Sequence, residues 1–519
     1  MKCINKIKLK NFKRFDDFSC PFDPDLNLLI GDNEAGKSSI LTAIDIVFSG
    51  SRSKIDTLGL DCLFNQEVID EFLASDKAYA KLPEMFVELY LNEQGNMDLE
   101  GEVNSEERNH IGLRMLCEPD HEYSKEIREI LKQPEANFPY EFYAVTFKTF
   151  SGLPYSGYRK YIKHLLIDNS QISNEYATKE FVKSMYGSNA NNAEKSKHHN
   201  EYRKHKDAFK ESILQDLNDK LTDYAFAIRN NSKANLETDL TLKEDNIYIE
   251  NKGKGRQCFI KTDFAINKKN SKLDIVLIEE PENHLSHQHM KRLIQKIRDT
   301  EQKQVFITTH NTMVSTRLDL RKAILLNHNS HNVVLLDKLS LPTARFFMKA
   351  PDNNIMEFIL SKKVVLVEGD AEFMLMEAFY KRVCNSVPEA DFVHVISIGG
   401  TSFKRYLELA KLLSIKTAVI RDNDHDYQLY CVDRYKNFTS EIIHVFGDTD
   451  NARHTFEVCL YEDNKDTCEE LFAAERTTLS VQDYMTKNKT DAAFELLDKK
   501  SSDIKVPNYI KQAIEWIRK

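Results

Sequence analysis

Residues 31–38 read GDNEAGKS and fill every fixed position of the phosphate-binding pattern G-x-x-x-x-G-K-[ST]. An apolar run precedes this glycine loop and a helical pattern follows it, so backbone N–H groups and a helix N-terminus would face phosphate oxygens. Lys37 would reach the β- and γ-phosphates of ATP, and Ser38 would hold Mg²⁺. The predicted nucleotide-binding residues of this loop are Gly31, Asn33, Gly36, Lys37, Ser38 and Ser39.

A second segment supplies the acids that a nucleotide hydrolase needs. The apolar run 275–278 ends in Glu279, which would bind the Mg²⁺ shell, and Glu280, which would orient and deprotonate the attacking water. Adjacent acids at a buried strand end are costly unless a cation meets them. One strand–helix unit later, His310 lies where a γ-phosphate sensor is expected, although an isolated histidine there is more often structural. Gln66 is a candidate metal-sensing glutamine.

A separate acidic pattern predicts a metal site near the C-terminus. One apolar run precedes Glu368, with Glu372 in the first turn of the helix that follows, and another precedes Asp422 and Asp424. Neighbouring parallel strands would bring these carboxylates to one edge, where they repel one another unless divalent ions neutralise them. Oxygen ligands without His or Cys suit Mg²⁺ or Mn²⁺. Two such ions can activate water and stabilise the leaving oxygen of a phosphodiester.

Composition limits the class of protein that carries these residues. A chain of 519 residues suggests two or three domains, and no apolar run approaches the roughly 18 residues of a membrane span. Nine dispersed cysteines without a C-x-x-C pair, and an N-terminus unlike a signal peptide, predict reduced thiols in a cytoplasmic protein. The net charge of −9 argues against indiscriminate coating of nucleic acid but allows a local basic groove.

The pattern of elements predicts an α/β fold in two domains. An ATPase domain is expected over residues 1–345, with strands in 84–150 such as 86–91 and 140–145. Residues 155–230 have helical spacing and a polar centre, which indicates a helical insertion. This insertion is either a solvated surface segment or a dimerisation arm. Residues 340–360 read as a linker, and a second α/β domain is expected over 360–519.

The order of phosphate loop, acidic strand and histidine resembles the ABC-type ATPase heads of the structural-maintenance-of-chromosomes (SMC) class. In that class a signature motif reaches the ATP of a partner subunit. The matching residues 252–257 read KGKGRQ and depart from the usual Ser-Gly-Gly-Gln form, which leaves engagement in trans open. Only about 200 residues separate the phosphate loop from this turn, too few for the long coiled coil of the chromosome proteins.

The C-terminal pattern E-G-x-x-E, then Gly399-Gly400, then D-x-D resembles the TOPRIM fold of topoisomerases, primases and nucleases. An ABC head followed by a TOPRIM domain resembles the overcoming lysogenization defect (OLD) family, as does the run 279–285. This resemblance implies a metal-dependent endonuclease or nickase acting on double-stranded DNA, and a homo-oligomer, dimer or tetramer, formed through the ATPase region. The family includes the nuclease of the bacterial Gabija anti-phage system, so it also implies a defence role, with a helicase or another defence protein as partner.

The resemblance assigns two further residues. Glu457 fits an acid beyond the D-x-D strand, and Lys489, with Lys487 as its competitor, fits a lysine that stabilises phosphate charge. A solvated surface position is the alternative for either lysine. His425 and Asp426 are expected to support the site at most. The predicted catalytic residues are Glu368, Glu372, Asp422, Asp424, Glu457, Lys489 and, for ATP, Glu280; the predicted metal ligands are Glu368, Glu372, Asp422, Asp424, Glu457, Ser38 and Glu279.

A second function class stays open at this point. The chain would then be a DNA-binding ATPase clamp or sensor that does not cleave DNA, with its TOPRIM domain a scaffold for partner proteins. A topoisomerase needs a nucleophilic tyrosine, and nothing singles one out among 21. A primase needs polymerisation machinery for which the sequence gives no signal.

Overall fold

The computed structural model describes residues 1–156, 161–168, 175–228, 236–266, 273–300, 302–326, 333–350, 354–473 and 479–519. The chain divides into two compact units. The first unit contains residues 1–310 and 322–333, and the second contains residues 311–321 and 334–519. In these described ranges, no helix is both long enough and apolar enough to cross a membrane.

The first unit contains two main sheets and the helices around them. Its strands are β1 (Ile4–Phe12), β2 (Phe15–Pro21), β3 (Leu26–Gly31), β4 (Met85–Leu91), β5 (Glu100–Gly101), β6 (His110–Pro119), β7 (Tyr143–Thr149), β8 (His164–Asp168), β9 (Lys243–Glu244), β10 (Ile247–Tyr248), β11 (Ile275–Glu279), β12 (Gln304–Thr309) and β13 (Ala323–Leu326). Its helices are α1 (Lys37–Ser49), α2 (Arg52–Leu58), α3 (Gln66–Ala74), α4 (Ser124–Leu131), α5 (Glu175–Asn189), α6 (Asn192–Ser212), α7 (Gln215–Asn218), α8 (Leu236–Asp239), α9 (Lys254–Ile266) and α10 (His287–Arg298).

The parallel sheet of the first unit has the order β13-β3-β12-β11-β8. Strands β3, β11 and β12 are buried along nearly their whole length, which is typical of parallel strands covered on both faces. The antiparallel sheet has the order β2-β1-β4-β6-β5, and β7 also pairs with β6. Because β3, β12 and β11 are parallel neighbours, the segments that follow them meet at one edge of the sheet.

Two segments of the first unit differ from the sequence-based expectation. Residues 140–142 form a 3-10 turn, and the strand predicted over 140–145 begins only at Tyr143. Strand β8 lies inside the range predicted as a helical insertion, and it pairs in parallel with β11 in the main sheet. The apolar run of three residues at 165–167 is too short for its period to distinguish a strand from a helix. In the described part of that range, helical structure is therefore confined to α5, α6 and α7.

The second unit is a parallel sheet with packed helices. The strands of this sheet are β15 (Lys363–Val367), β16 (Val393–Ser397), β17 (Lys416–Ile420) and β18 (Ile443–Phe446), and the two-residue strand β14 (Val334–Leu335) lies outside it. Its helices are α11 (Thr312–Arg317), α12 (Leu341–Lys349), α13 (Ile355–Leu360), α14 (Asp370–Cys384), α15 (Phe403–Leu413), α16 (Phe456–Asp463), α17 (Lys465–Phe472), α18 (Val481–Lys487), α19 (Lys489–Lys500) and α20 (Asn508–Arg518). The sheet order is β16-β15-β17-β18 with every pair parallel. The α/β class expected from the sequence is confirmed.

The predicted linker over 340–360 is wrong in large part, because α12 and α13 lie in it. Ser340 caps α12 by accepting a hydrogen bond from the Thr343 backbone N–H. Glu408 of α15 in turn accepts hydrogen bonds from Ser340 N at 2.6 Å and Ser340 Oγ at 2.9 Å. A serine cap followed by proline in the first turn is a helix-start signal that a linker interpretation overlooks.

Candidate functional site

The phosphate loop lies between the end of β3 and the start of α1. Gly36 has a φ of 91°, a left-handed conformation that favours glycine. A Cβ atom at Gly36 would lie 2.7 Å from Cδ of Arg14, on the turn between β1 and β2, and 2.5 Å from the ring of Phe15, the first residue of β2. Asn33 is exposed in the loop, and Ser39 is half-buried in the first turn of α1. Backbone conformation and packing therefore both require the second glycine of the motif.

Lys37 begins α1, and its ammonium group folds back over the phosphate loop. Its Nζ donates hydrogen bonds to the carbonyl oxygens of Gly31 at 2.7 Å and Asp32 at 2.8 Å. Burial lowers the pKa of Lys37, while nearby carboxylates, Glu280 first among them, act in the opposite direction. The ammonium group of Lys37 thus lies against the loop, where the motif predicts that phosphate binds.

Ser38 and Glu279, the residues predicted to share a Mg²⁺ ion, are in direct contact. Ser38 Oγ donates a hydrogen bond to Glu279 Oε1. Glu279 ends β11, and its register partner on β8 is Asp168. Burial raises the pKa of Glu279, the bond from Ser38 lowers it, and the charge of Asp168 raises it again. A cation would stabilise the carboxylates of Glu279 and Asp168. Together with the Ser38 hydroxyl group, they form a set of oxygen donors that fits Mg²⁺.

The acids after β11 and the histidine after β12 form one cluster. Asn283 Nδ2 donates to Glu280 Oε2 at 2.8 Å, and His310 Nδ1 lies 3.4 Å from Glu280 Oε1. Glu282 Oε1 accepts hydrogen bonds from His310 N at 3.1 Å and from Thr309 Oγ1 at 2.7 Å. The structure therefore brings Glu280 and His310 together, with Glu282 holding the histidine's segment.

Three side chains at this site were not predicted from the sequence: Asp168, Glu282 and Arg14. Asp168 follows an apolar run of three residues, a shorter form of the signal that identified Glu279, and the run lay inside the predicted insertion. Arg14 Nη1 donates to the Glu34 carbonyl oxygen in the phosphate loop, a contact that only the fold reveals. Gln66 lies on α3, where its amide donates to Asp70 Oδ1 at 2.9 Å.

The turn that matches a signature motif lies at the start of α9. Glu244 Oε2 accepts hydrogen bonds from Lys252 Nζ at 2.7 Å and from Arg256 Nε at 2.9 Å. A Cβ atom at Gly255 would lie 2.2 Å from the His284 carbonyl oxygen, so glycine permits close packing against the loop that follows the acids. Glu244 neutralises part of the positive charge of Lys252 and Arg256. This turn therefore has less net positive charge with which to bind a nucleotide.

The second unit brings the C-terminal acids to the carboxyl edge of its sheet. Glu368 follows β15, Glu372 lies in the first turn of α14, and Asp422 and Asp424 follow the parallel neighbour β17. Glu372 and Asp422 are 6% and 9% exposed, whereas the Asp424 side chain is 45% exposed. Helix α14 begins at Asp370, so Glu372 lies in its first turn as predicted, next to the strand end.

Glu457 and Lys489 reach the same edge from helices. Asp422 Oδ1 accepts a hydrogen bond from the Phe456 backbone N–H at 2.7 Å, which fastens the end of β17 to the first turn of α16. The next residue, Glu457, is 3% exposed. Both Lys489 and its competitor Lys487 are exposed, but Lys489 Nζ lies 3.0 Å from Glu457 Oε2. The contacts therefore favour Lys489 as the lysine of this edge.

Burial and mutual repulsion disfavour negative charge among these acids. Burial, and then the charges of Glu457 and Glu368, raise the pKa of Glu372 to about 7. The pKa of Asp422 lies well above its ordinary value for the same two reasons. Burial also raises the pKa of Glu368, while Arg421 acts in the opposite direction. A cation that entered this cluster would be stabilised by each of these carboxylates.

The donor set at this edge fits a hard divalent cation. Within the described residues, both carboxylate oxygens of Glu457 are buried without a hydrogen-bond partner, although Lys489 lies at ion-pair distance. Carboxylate oxygens are the ligands that Mg²⁺ and Mn²⁺ prefer. Across the described part of the chain, no three His, Cys, Asp or Glu side chains already have a metal-binding arrangement. Lys489 and Arg421 are the counter-ions instead.

Two family models match the chain. Residues 1–314 match the model described as "AAA ATPase domain", and residues 359–424 match "Overcoming lysogenization defect protein-like, TOPRIM domain". The chain is also similar to the DNA replication and repair protein RecF of Lactococcus lactis subsp. cremoris (strain SK11), at 33% identity over 95 residues. These residues are 18% of this chain and 25% of RecF, so the chain spans about a quarter of that relative's length.

Two solved structures are similar to parts of the chain. The SMC head domain from Thermotoga maritima covers 64% of this chain and 97% of its own, at 13% identity and a TM-score of 0.30. The C-terminal region of the Burkholderia pseudomallei OLD protein covers 30% of this chain and 97% of its own, at 18% identity and a TM-score of 0.24.

Proposed function

Because this chain belongs to the AAA ATPase domain family and has the ATPase–TOPRIM architecture of the OLD family, we propose that it is a nucleotide-regulated DNA endonuclease or nickase. Its cleavage depends on Mg²⁺ or Mn²⁺, its substrate is double-stranded DNA, and it acts in the cytoplasm in anti-phage defence. A partner helicase or another defence protein is part of this proposal.

One observation carries the nuclease proposal. Carboxylates from two strand ends and from the first turns of two helices converge at one sheet edge, next to a lysine that can bind phosphate. These residues are Glu368, Glu372, Asp422, Asp424, Glu457 and Lys489. Clustered buried acids destabilise a fold that holds no cation. If these residues were only structural, paired or neutral side chains would be expected at this edge instead.

The roles of the residues follow from their burial and contacts. Glu368, Glu372, Asp422 and Glu457 would hold the metal ions, with Asp424 at the exposed rim of the site. Divalent ions bound there supply an activated water and neutralise charge on the scissile phosphate. Lys489 has a half-exposed side chain whose ammonium group contacts Glu457, and it would bind a phosphate oxygen of DNA and keep the backbone in place.

The first unit supplies the nucleotide control. Lys37 and the loop amides would bind the phosphates of ATP, and Ser38 and Glu279 would hold its Mg²⁺. Glu280 would orient the attacking water and accept its proton, and His310, 3.4 Å from Glu280, would contact the γ-phosphate. Phosphate binding would replace the bonds that Lys37 now makes to Gly31 and Asp32.

Cleavage of supercoiled and linear DNA by the full chain, with Mg²⁺, Mn²⁺ or EDTA and with or without ATP, tests this function. We expect nicked or linear product with either metal, none in EDTA, and a rate that changes when ATP is added. DNA binding without cutting under every metal would contradict the nuclease and favour the clamp or sensor, whose TOPRIM domain only holds partners.

We also propose that the chain forms a homo-oligomer through α6 and α7 of the ATPase region. No residue of α6 with a described side chain is buried, although the helix is 21 residues long. An apolar row continues along α6 and past α7 at intervals of four residues: Phe209, Ile213, Leu217 and Leu221, each at least 40% exposed. Burying each such side chain against a second copy would contribute about half of the roughly 1.5–3 kcal/mol that full burial gives, because each is already partly buried.

The double variant Ile213→Glu with Leu217→Glu should therefore reduce the molar mass in solution to that of one chain, 60.3 kDa. Both side chains are exposed, so we expect the thermal unfolding midpoint of the monomer to change little. Light scattering after size exclusion gives the mass. Met97→Glu, at an 86% exposed position elsewhere in the first unit, is the matched control. An unchanged oligomer in the double variant would contradict this interface.

A further inference from the structure

Arg421 is a fully buried charge to which the proposed function assigns no role. It lies between the end of β17 and Asp422, and it is 1% exposed. Burying a guanidinium group costs several kcal/mol unless the surrounding groups compensate its charge. The groups that surround Arg421 therefore indicate the role of its buried charge.

The compensating charges are two of the acids at the carboxyl edge. Arg421 Nη2 donates to Asp424 Oδ2 at 3.0 Å, and Nη1 lies 3.2 Å from Glu368 Oε1. These two acids come from different strand ends, since Glu368 follows β15 and Asp424 follows β17. One guanidinium group thus connects both halves of the acidic pattern through a single oxygen of each carboxylate.

The remaining surroundings of Arg421 are aromatic. Ring centroids of Tyr430, Tyr435 and Phe403 lie 5.7, 5.9 and 6.0 Å from its guanidinium carbon. Its Nε and Nη1 make no hydrogen bond in the described residues; Nη1 is at ion-pair distance from Glu368 without hydrogen-bond geometry. The rings confine the planar group, while the two acids are its only anionic contacts within salt-bridge distance in the same part of the structure.

We propose that Arg421 is a positioning residue for the divalent-metal site: it holds one oxygen of Glu368 and one of Asp424 and leaves the second oxygen of each for the cation. This inference rests on the metal site in the proposed function. A simple counter-charge would be served equally well by lysine, and simple packing by methionine. A guanidinium group holds two nitrogens at a fixed separation in one plane, so it keeps two carboxylates in a defined relative position, whereas a freely rotating ammonium group presents one nitrogen and fixes that position less closely.

The test measures Mn²⁺ binding to the full chain without DNA, by calorimetry or by the paramagnetic resonance signal of free Mn²⁺. Arg421→Lys and Arg421→Met should each weaken binding by about tenfold, the range typical for groups that orient metal ligands. Arg518→Met, which removes an arginine paired with Asp391 instead, should leave binding within twofold of the wild type. Thermal unfolding shows which variants fold, and Arg421→Lys carries the test if Arg421→Met does not.

Folded Arg421 variants that bind Mn²⁺ as tightly as the wild type, or more tightly, would overturn the proposal. Tighter binding would mean that the guanidinium only repels the cation. Cleavage gives a second readout: saturating Mn²⁺ should restore most of the Arg421→Lys rate, because the ligands themselves remain. A wild-type chain that binds Mn²⁺ but cuts no DNA would refute the nuclease and leave this inference intact, so the two failures are distinguishable.

Discussion

Asp422→Asn should reduce DNA cleavage by about 100-fold or more at saturating Mg²⁺ or Mn²⁺, as expected for loss of a central group in the site. The asparagine oxygen can still accept the hydrogen bond from the Phe456 N–H, so the end of β17 stays fastened to α16. What disappears is one negative charge in a cluster that would hold cations. Initial rates of plasmid cleavage across a metal titration measure the loss.

The same substitution should stabilise the metal-free protein. Burial and the neighbouring acids raise the pKa of Asp422 in the folded state. An acid with a raised folded-state pKa favours unfolding at a pH where it ionises, and asparagine removes that cost. A gain of about 1 kcal/mol would raise the unfolding midpoint by roughly 2–4 °C for a unit of this size. Thermal unfolding in EDTA at pH 8 measures this shift.

Asp498→Asn is the control, because Asp498 is an exposed acid on α19, the helix that also carries Lys489. It should change neither cleavage nor the unfolding midpoint. If Asp422→Asn, and Asp422→Ala with Asp424→Ala, left cutting within a few-fold of the wild-type rate, the metal-site assignment would be wrong. If Asp422→Asn lost cleavage and stability together, Asp422 would have a structural role instead.

Local patterns in the sequence predicted the strand ends that carry the two candidate sites. The phosphate loop and Glu279 each come directly after an apolar run in the sequence. The strand and the functional residues at its end are therefore neighbours along the chain and form one local pattern. Asp168 carries a shorter form of the same signal, but a strand of five residues inside a polar, helix-rich range was too short to stand out. The class of fold and the acids at strand ends were therefore predictable, whereas the extent of the insertion was not.

Contacts between distant residues could not be derived from local patterns. Glu457 and Lys489 came only from a family resemblance, because nothing in the spacing relates a helix start at residue 456 to a strand end at residue 420. The structure supplies the links as a backbone hydrogen bond to Asp422 and an ion pair. Arg421 gave no signal at all, since a charged residue at a strand end is ordinarily expected in solvent.

Lys37→Ala should abolish ATP hydrolysis, with a loss of about 100-fold or more, because it removes the cation that would face the β- and γ-phosphates. Cleavage measured without nucleotide should stay near the wild-type rate, since Lys37 and the acids of the second unit belong to separate sites. The response of cleavage to added ATP should vanish. Lys291→Ala, at an exposed position on α10, is the matched control and should change none of these quantities.

Glu280→Gln separates binding of ATP from its hydrolysis. Glutamine keeps the shape that accepts the Asn283 hydrogen bond but cannot take a proton from water, so turnover should fall while nucleotide still binds. We expect ATP to control cleavage in this variant as in the wild type. Binding of phosphate would rearrange the contact of Lys37 with Gly31, and binding of the cation would rearrange the contact of Ser38 with Glu279. Both changes would occur before the terminal phosphate of ATP is cleaved. If control were lost here as in Lys37→Ala, hydrolysis itself would be the signal.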